Sequence, residues 1–461
     1  MSIGQKYKAY PEYKDSGVEW LDAIPNHWAT APIKYTALDN NSIFIDGDWI
    51  ESKDISEEGV RYITTGNVGE GKYKEQGTGY ITSDNFNALN CTEVFEGDIL
   101  ISRLNNPIGR ACIVPNLEAR IVTSVDNVIF RPDIQYIKKY LVYLLSSKDY
   151  FRHTSNLARG ATMQRISRGL LGNIRIVVPG SNEQVKIANF LDHETARIDT
   201  LIEEQQSLIK LLQEKRQAVI SHAVTKGLNP NAAMKDSGVK WLGDVPEHWL
   251  VRRLKHVADL QSGIPKGKDL TGKTTIEVPM LRVANVQDGY LKLGEVHKIK
   301  IEPEQLERYQ LQRGDVLMNE GGDSDKLGRG AVWSGEVEPC IHQNHVFAIR
   351  PKTIEPEWLE LLTGSSYAKF HFFRVSKQST NLASISSSNI KETPLVVPPI
   401  EERTAIMNYL TNRMAKYDSL KTECHQQVKF LNERRTALIS AAVTGKIDVR
   451  DWQPPVQAVE I

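Results

Sequence analysis

Two long stretches of the chain carry hydrophobic residues at helical spacing, with no glycine or proline to interrupt them. The first runs from Glu183 to about Thr225 and the second from Glu401 to about Thr444. Apolar side chains recur in both at the a and d positions of a seven-residue pattern, which is typical of helices that pack lengthwise. The residues predicted to form this helix seam are Leu191, Ile198, Leu201, Leu208, Leu212 and Val219, and then Leu410, Tyr417, Leu420, Leu431 and Leu438.

Proline and glycine mark the ends of both predicted helices. Pro179 precedes the first and Pro398 the second, and Gly227 and Gly445 follow their last turns. Proline is tolerated at a helix start and glycine is common just past a helix end. At about 1.5 Å per residue, each helix would be on the order of 60 Å long. Either each helix covers its own domain, or the two bury each other as a coiled coil, which the persistent seven-residue period favours.

The remaining residues alternate short strand-like runs with turns. Residues 99–101, 174–178 and 395–397 are apolar and rich in β-branched residues, and Gly, Asn and Asp separate such runs. One helix is expected in each globular part, at about 135–148 and about 356–370. These patterns predict an α+β fold class.

The chain is also internally duplicated, with two similar globular domains. Residues 14–28 and 235–249 share the pattern Lys-Asp-Ser-Gly-Val-x-Trp-Leu followed by Pro-x-His-Trp. Later pairs are Gly97-Asp98-Ile99-Leu100 with Gly314-Asp315-Val316-Leu317, and Arg131-Pro132 with Arg350-Pro351. A repeat of this length is a domain plus a helix, much longer than a solenoid unit of roughly 20–50 residues. Two similar halves suggest a ligand with two similar parts.

Duplication and helical pattern together predict five segments. They are a first globular domain at 1–180, a first helix at 181–228, a second globular domain at 229–399, a second helix at 400–446 and a C-terminal tail at 447–461.

Composition restricts the class of protein. The 461 residues are 40% hydrophobic, enough for two or more domains. No apolar run reaches the ~18 residues of a membrane span, and Met1–Tyr10 is polar, so we expect a cytoplasmic location. Four scattered cysteines indicate free thiols. Cys340, His342 and His345 lack an evident fourth ligand, so no metal site is expected.

The charges balance overall but are unevenly placed. With 57 basic and 57 acidic residues, a polyanion would have to be bound by local patches. Residues 150–182 and 365–391 contain no acidic residue but several basic ones. Such patches suit phosphates, and nearby amides suit base edges; the alternative is pairing with acids elsewhere in each domain. The candidate DNA-binding residues are Arg103, Arg159, Gln164, Arg165, Arg168, Lys266, Lys268, Lys273, Arg282, Arg374, Lys377, Gln378 and Asn381.

One segment matches a nucleotide-binding pattern. Gly267–Thr274 satisfies G-x-x-x-x-G-K-[ST], whose chemistry requires a helix directly after the loop. The following Thr275–Pro279 is β-branched and closed by proline, so a basic surface loop is the favoured interpretation. No catalytic triad or carboxylate pair stands out by spacing, and no catalytic residue is predicted.

These features resemble the DNA-specificity subunit of Type I restriction–modification systems. The resemblance rests on the repeated opening motif and on Val-Val-Pro before each long helix. Glu183-Gln184 and Glu401-Glu402 at the helix starts and the closing segment 431–448 extend it over nearly the whole chain.

The resemblance implies a non-catalytic subunit. Residues 1–180 and 229–399 would be target-recognition domains, each reading one half of a bipartite double-stranded DNA target. The two helices would pack antiparallel and set the distance between the half-sites. Two modification (methyltransferase) subunits would dock here, and two restriction/translocase subunits would join the full complex. No cofactor is expected in this chain, because S-adenosylmethionine, ATP and Mg²⁺ would belong to those partners.

Three alternatives remain open. The chain could be the recognition subunit of a fused restriction–modification enzyme, which shares this plan. It could be a coiled-coil scaffold without DNA contact. The third alternative, a P-loop nucleotide hydrolase, is the least favoured because of the segment that follows Gly267–Thr274.

Overall fold

The protein consists of two compact units that each contain part of both long helices. The computed structural model describes residues 7–77, 79–160, 163–265, 270–322, 327–378 and 383–454. Unit 1 is Met1–Gln206 with Gln426–Ile461, and unit 2 is Ser207–His425. The boundaries between units therefore fall inside the helices, whereas the sequence placed the domain boundaries at the helix ends.

Unit 1 is built on two four-stranded sheets. In the first, Asn127–Arg131 lies between Ile43–Asp46 and Ile99–Ser102, and Ala111–Ile113 pairs with the latter, all antiparallel. The second sheet has the order Ile121–Thr123, Val60–Ile63, Gly79–Ile81 and Ile55–Ser56, with its first pair parallel. Two-stranded sheets pair Ala29–Pro32 with Arg175–Val178, and Tyr13–Lys14 with Ile24–Pro25.

The first sheet is covered on both faces, which explains its continuous apolar strands. Ile99, Leu100 and Ile101 are all fully buried. Ile99 and Ile101 pack into the main core of unit 1, while Leu100 packs with Ile129 in a second cluster on the opposite face. The strand predicted at residues 99–101 is confirmed, as are those at 174–178 and 395–397.

Unit 2 repeats this architecture. Its four-stranded antiparallel sheet has the order Ala258–Ser262, Val346–Pro351, Val316–Asn319 and Gly330–Val332. Two further sheets have three strands each, in the orders His297–Ile301, Ile276–Leu281, Ile341–His342 and Gly321–Gly322, Ala383–Ser384, Lys377–Gln378. Two-stranded sheets pair Leu250–Arg253 with Pro394–Val397, and Met234–Asp236 with Asp244–Pro246.

Two consecutive helices stand where one was expected in each globular part. They are Lys138–Leu144 and Lys148–Leu157 in unit 1, and Pro356–Thr363 and Ser366–Val375 in unit 2. The Ser147 hydroxyl accepts from the Tyr150 N–H, so it caps a new helix rather than continuing the previous one. Shorter α-helices are Ser83–Ala88, Arg168–Asn173, Pro303–Tyr309 and Ser387–Lys391, and 3₁₀ turns are Ile33–Thr36, Ser52–Asp54, Thr65–Asn67, Leu254–His256 and Val283–Asn285.

The long helices are Ser181–Lys226 and Ile400–Val443. They are antiparallel, because unit 1 contains the first helix up to Gln206 together with the second from Gln426 onward, and unit 2 contains the later part of the first and the earlier part of the second. In unit 1, Asp199 accepts from Arg435 Nε at 2.8 Å. Side chains of the two helices share the unit 1 core. In unit 2 the late part of the first helix and the early part of the second likewise share one core.

The buried stripe on both helices follows a strict alternation of four- and three-residue steps. On the first helix, the buried and half-buried positions in this stripe are Leu191, Thr195, Ile198, Ile202, Gln205, Ile209, Leu212, Arg216 and Val219. On the second they are Leu410, Met414, Tyr417, Lys421, Cys424, Val428, Leu431, Arg435 and Leu438.

Three residues predicted for the helix seam lie outside this stripe. Leu201, Leu208 and Leu420 are exposed by 43%, 42% and 46%. Positions three and four residues on from a stripe residue lie on opposite sides of it, since an α-helix has 3.6 residues per turn. The stripe continues from Ile198 to Ile202 and from Tyr417 to Lys421, four residues on in each case. Lys421 is therefore half-buried although it is polar, and the neighbouring Leu420 is exposed.

The repeated opening motif forms the joint between a globular part and the end of a long helix. Trp28 is fully buried against Gly445 and Trp249 against Gly227. Both glycines have positive φ, and a Cβ on either would approach its tryptophan ring to 3.1 Å. The segment predicted as a tail contributes Ile447 and Val449 to the unit 1 core, so it is part of the domain as far as it is described.

Candidate nucleic-acid interface

Segments distant in sequence meet at one end of the first sheet of unit 1. The Arg103 N–H donates to the Asp126 carbonyl at 2.8 Å, and the Ile166 N–H donates to the Arg103 carbonyl at 3.0 Å. Arg159 and Arg165 exchange two backbone hydrogen bonds at 3.0 and 2.9 Å. We call the five charged residues gathered here, Asp46, Arg103, Asp126, Arg165 and Arg168, the unit 1 platform.

Side chains of the unit 1 platform alternate in sign. Asp126 Oδ1 lies 2.6 Å from Arg165 Nη2 and 3.9 Å from Arg103 Nη2. Asp46 contacts Arg103 Nε at 3.3 Å and Arg168 Nε at 3.7 Å. One arginine therefore lies between two aspartates, and one arginine stands at each end. Three cations and two anions give the group a net charge of +1.

The middle arginine is buried and the outer two are not. The Arg103 side chain is 7% exposed, against 45% for Arg165 and 46% for Arg168. Burial lowers the pKa of the Arg103 guanidinium, while the neighbouring aspartates act in the opposite direction. An arginine remains charged in such surroundings. Arg103, predicted as a DNA contact, is therefore placed as a fixed support for Asp46 and Asp126.

The outer arginines are suited to an external anion or acceptor. Oδ1 of Asp126 accepts no aligned hydrogen bond from the described residues, so its contact with Arg165 is electrostatic rather than directional. The N–H fork of Arg165 can therefore align with another acceptor. Arg159 and Gln164 are exposed in the adjoining hairpin. The structure thus brings together the basic residues predicted in the first repeat. The alternative, that they pair with acids elsewhere in the domain, also holds in part, because Asp46 and Asp126 contact three of the arginines.

Unit 2 has the same backbone arrangement at the corresponding end of its sheet. The Glu320 N–H donates to the His345 carbonyl at 3.0 Å, and the Ile385 N–H donates to the Glu320 carbonyl at 2.8 Å. Glu320 thus occupies the place of Arg103, and His345 that of Asp126. We call Ser262, Glu320, His345, Ser384 and Ser387 the unit 2 platform. Strand register places Ser262 and Ser384 at the positions of Asp46 and Arg165, and Ser387 begins a short helix as Arg168 does.

The charge at the central position is reversed in the unit 2 platform, where Glu320 replaces Arg103, and the three serines carry no charge. A carboxylate oxygen of Glu320 contacts His345 Nδ1 at 2.7 Å, where unit 1 has a cation next to an aspartate. The same turn carries Gln343 and Asn344, both half-buried. Sequence reasoning missed Asp46, Asp126, Glu320 and His345. Aligning the two copies residue by residue would have revealed the acid at 320 opposite the base at 103.

Other predicted contacts of the second repeat are dispersed. Lys266, Lys268 and Asn381 lie outside the described residues. Lys377 and Gln378 are exposed in the hairpin that adjoins the unit 2 platform. Arg374 instead stacks over the Trp241 ring at 4.0 Å, Lys273 Nζ contacts Glu302 at 3.1 Å, and Arg282 is half-buried. The structure therefore does not gather these last three into one surface.

The rejected motifs occupy ordinary structural settings. Lys273 of the phosphate-loop pattern is followed by the strand Ile276–Leu281, where nucleotide binding would need a helix. His342 is buried with its Nδ1 2.6 Å from the Val346 carbonyl, and burial lowers its pKa. Over the described ranges, no group of three or more His, Cys, Asp and Glu could hold a metal ion. No described helix combines the length and hydrophobicity needed to cross a membrane.

Comparison with known protein families gives a match in each repeat. Residues 40–211 and 246–429 both match the Type I restriction modification DNA specificity domain. The specificity subunit of the EcoKI enzyme of Escherichia coli K12 is 23% identical over 335 residues, which are 70% of this chain and 68% of that protein. The MjaIX specificity subunit of Methanocaldococcus jannaschii is 20% identical over 97% of this chain and 99% of its own length.

Solved structures resemble the fold over most of the chain. One chain, from a study of complex assembly and conformational transition of the type I R-M system, has a TM-score of 0.66 at 17% identity and covers 92% of this chain and 99% of its own. The HsdS subunit from Thermoanaerobacter tengcongensis has a TM-score of 0.50 at 16% identity, covering 92% of this chain and 98% of its own. At these identities, the likeness concerns the fold.

Proposed function

The chain belongs to the Type I restriction–modification DNA-specificity family, and from this premise we propose that each unit reads one half of a bipartite double-stranded DNA target through its platform. The observation that supports this most directly is the duplicated backbone arrangement of the two platforms. A chain that presents the same framework twice suits a duplex target with two separate half-sites.

Exposed basic and amide side chains beside the platforms would supply the contacts. Phosphate neutralisation by arginine and lysine gives salt-dependent affinity without sequence choice. Sequence choice requires groups that form directed hydrogen bonds with base edges. Arg165 and Arg168 in unit 1, and Lys377 and Gln378 in unit 2, are exposed and offer both kinds of contact.

The long helices are proposed to form an antiparallel coiled coil that sets the gap between the half-sites. Burial at alternating four- and three-residue steps supports this, because that spacing is the one by which a and d residues interlock. Two half-sites read from one face of B-DNA lie about one turn apart, roughly 34 Å or a multiple of it.

Faces of the long helices outside the buried stripe are proposed to dock two methyltransferase subunits. Leu201, Leu208 and Leu211 are exposed by 43%, 42% and 60% on the first helix. Exposed apolar side chains repeated along one helix suit a protein partner. Two restriction/translocase subunits would join the full complex. Methylation and cleavage, with S-adenosylmethionine, ATP and Mg²⁺, would belong to those partners, and this chain would be non-catalytic.

Mapping methylated adenines across the host genome, with and without this gene, tests the proposal. The expected result is loss of one bipartite methylated motif when the gene is deleted. An unchanged methylation pattern would contradict the proposal. Gene neighbours distinguish separate partner chains from a fused enzyme.

A nucleotide hydrolase is the competing enzyme hypothesis, and a direct assay excludes or establishes it. The purified chain should hydrolyse no ATP, and Lys273→Ala should change nothing. Turnover that depends on Lys273 would support the hydrolase instead.

A further inference from the structure

The two platforms combine one backbone framework with different side-chain chemistry. We propose that the side chains at these equivalent positions select the bases of the two half-sites. Arg165 and Arg168 of unit 1 would read acceptor atoms of guanine, and Glu320 of unit 2 would read the amino group of a base. This assignment rests on the proposed function and names the residues by which its two halves differ.

The shared framework extends beyond the platform residues themselves. The Ser102 N–H donates to the Arg110 carbonyl at 2.9 Å, and the Asn319 N–H donates to the Arg329 carbonyl at 2.9 Å. The Ser124 N–H donates to the Ile63 carbonyl at 3.0 Å, and the Gln343 N–H donates to the Leu281 carbonyl at 2.9 Å. Since both units form the same bonds, folding does not require the side chains at the platform positions to differ.

One ion pair that supports the fold has kept its chemistry in both copies, in contrast to the platforms. Asp98 accepts from Arg131 at 2.8 and 2.7 Å, and Asp315 accepts from Arg350 at 2.7 and 2.8 Å. These pairs lie in the same sheets as the platforms. Side chains that differ at the platforms, on a backbone framework that both copies retain, are what two different ligand halves require.

The unit 1 platform presents preorganised cationic forks. Asp46 and Asp126 lie between Arg103 and the two outer arginines. Their carboxylates therefore fix the positions of the guanidinium groups of Arg165 and Arg168. An arginine fork pairs in a bidentate manner with O6 and N7 of guanine. The net positive charge also favours a groove bounded by phosphates.

The unit 2 platform has serines where unit 1 has the two outer arginines, and it presents a carboxylate acceptor, Glu320, at the position of Arg103. A carboxylate beside phosphates is repelled, so Glu320 would be unfavourable at a DNA surface unless a donor faces it. Its side chain is 27% exposed and is held by His345, which is 56% exposed. A glutamate accepts a hydrogen bond from a base amino group, with cytosine N4 as the usual partner and adenine N6 as the other source of the same chemistry.

Selection of DNA by the full-length chain tests the assignment. Bound duplexes from a randomised library would be sequenced for wild type, Arg165→Lys and Glu320→Gln. Lysine keeps the charge but loses the fork, and glutamine keeps the shape but loses the charge. Arg152→Lys and Glu247→Gln change exposed residues of the same type in the same units outside the platforms. Unfolding midpoints equal to that of wild type establish that the variants fold.

The two variants should act on different half-sites. Arg165→Lys should reduce the preference for guanine in one half-site by roughly 5- to 150-fold, and Glu320→Gln should reduce the preference for cytosine or adenine in the other by a similar factor. The base affected by Glu320→Gln identifies the amino group. The controls should leave both half-sites unchanged.

Three results would overturn the assignment. Unchanged base preferences in both variants would do so, as would changes confined to one shared half-site. A uniform loss of affinity at unchanged preference would mean phosphate contacts only. If wild type selects no bipartite sequence at all, the proposed function itself fails, which is a separate result.

Discussion

The carboxylate of Asp98 accepts two hydrogen bonds from the guanidinium of Arg131, from Nε at 2.8 Å and from Nη2 at 2.7 Å. The two residues belong to separate motifs of the duplicated sequence, and both motifs recur in unit 2 as Asp315 and Arg350 with the same pairing. The Asp98 side chain is 2% exposed, and its hydrogen bonds raise the pKa of Arg131. The pair joins two neighbouring strands of the first sheet.

Removing the charge of Asp98 should destabilise unit 1. Asp98→Asn leaves the guanidinium of Arg131 without its anion in a largely buried place, so the free energy of unfolding should fall by about 2–4 kcal/mol. Urea unfolding followed by circular dichroism measures this. Asp39→Asn, on an exposed aspartate of the same unit, should stay within about 0.5 kcal/mol of wild type. Equal effects from the two variants would contradict a structural role for the pair.

Adjacent residues on the first long helix should differ sharply in their contribution to stability. Ile202 packs against the unit 1 core and Leu201 is 43% exposed. Ile202→Ala should reduce the free energy of unfolding by about 1–3 kcal/mol, because it removes partly buried methyl groups and leaves a void. Leu201→Ala should cost less than about 0.5 kcal/mol. If Leu201→Ala instead cost more than Ile202→Ala, Leu201 would be the seam residue, as the sequence predicted.

Neutralising the basic surface of unit 1 should weaken DNA binding and its dependence on salt. The triple change Arg159→Gln, Arg165→Gln and Arg168→Gln removes three exposed charges. Each DNA phosphate that the variant no longer neutralises should make the slope of log affinity against log salt shallower by about 0.9. Binding titrations at several salt concentrations measure this slope.

A matched triple change elsewhere in unit 1 provides the control for the basic surface. Arg152, Arg175 and Arg197 are exposed and lie outside the platform. Changing them to glutamine should leave the slope close to that of wild type. If both triple variants behave alike, the effect reflects total charge, and a scaffold without a defined DNA contact becomes the better account.

Lengthening both long helices should lengthen the gap between the half-sites. Three heptads inserted in each helix add about 31 Å, equivalent to about nine base pairs, which is close to one turn and keeps both half-sites on one face of the duplex. Selection from a randomised duplex library should then return the same half-sites with a longer gap. A heptad inserted only in the first helix should abolish binding or assembly, since the buried stripes no longer match. Retention of the original gap at normal affinity would contradict the spacer role.

Two of the four cysteines should resist alkylation in the native protein. Burial raises the pKa of Cys112 and of Cys340 to about 12, so at pH 8 each is almost entirely the unreactive thiol. All four cysteines are free. Mass spectrometry after iodoacetamide treatment should find these two unmodified in native protein and all four modified in urea. Rapid native labelling of Cys112 would contradict its burial.

Local periodicity and repetition were readable without coordinates. The two long helices, their glycine and proline ends and the α+β class follow from spacing between near neighbours, and the duplication is a property of the sequence. The family resemblance rested on the same motifs, and the matches at 40–211 and 246–429 confirm it. The acid-free stretch of the first repeat also indicated where Arg159, Gln164 and Arg165 would gather.

Only tertiary structure decided which of these residues meet. Leucines lie on both sides of the helix stripe, so the partner surface, rather than hydrophobicity, determined that Ile202 and Lys421 are covered while Leu201 and Leu420 are exposed. The sequence does not distinguish Arg103 from Arg165, yet strand pairing buries Arg103 between Asp46 and Asp126. Sequence alignment of the copies can pair Arg103 with Glu320, but only the backbone hydrogen bonds show that both lie at the same place in the fold. Contacts between distant residues carry no local periodicity, because they are fixed by how whole elements pack.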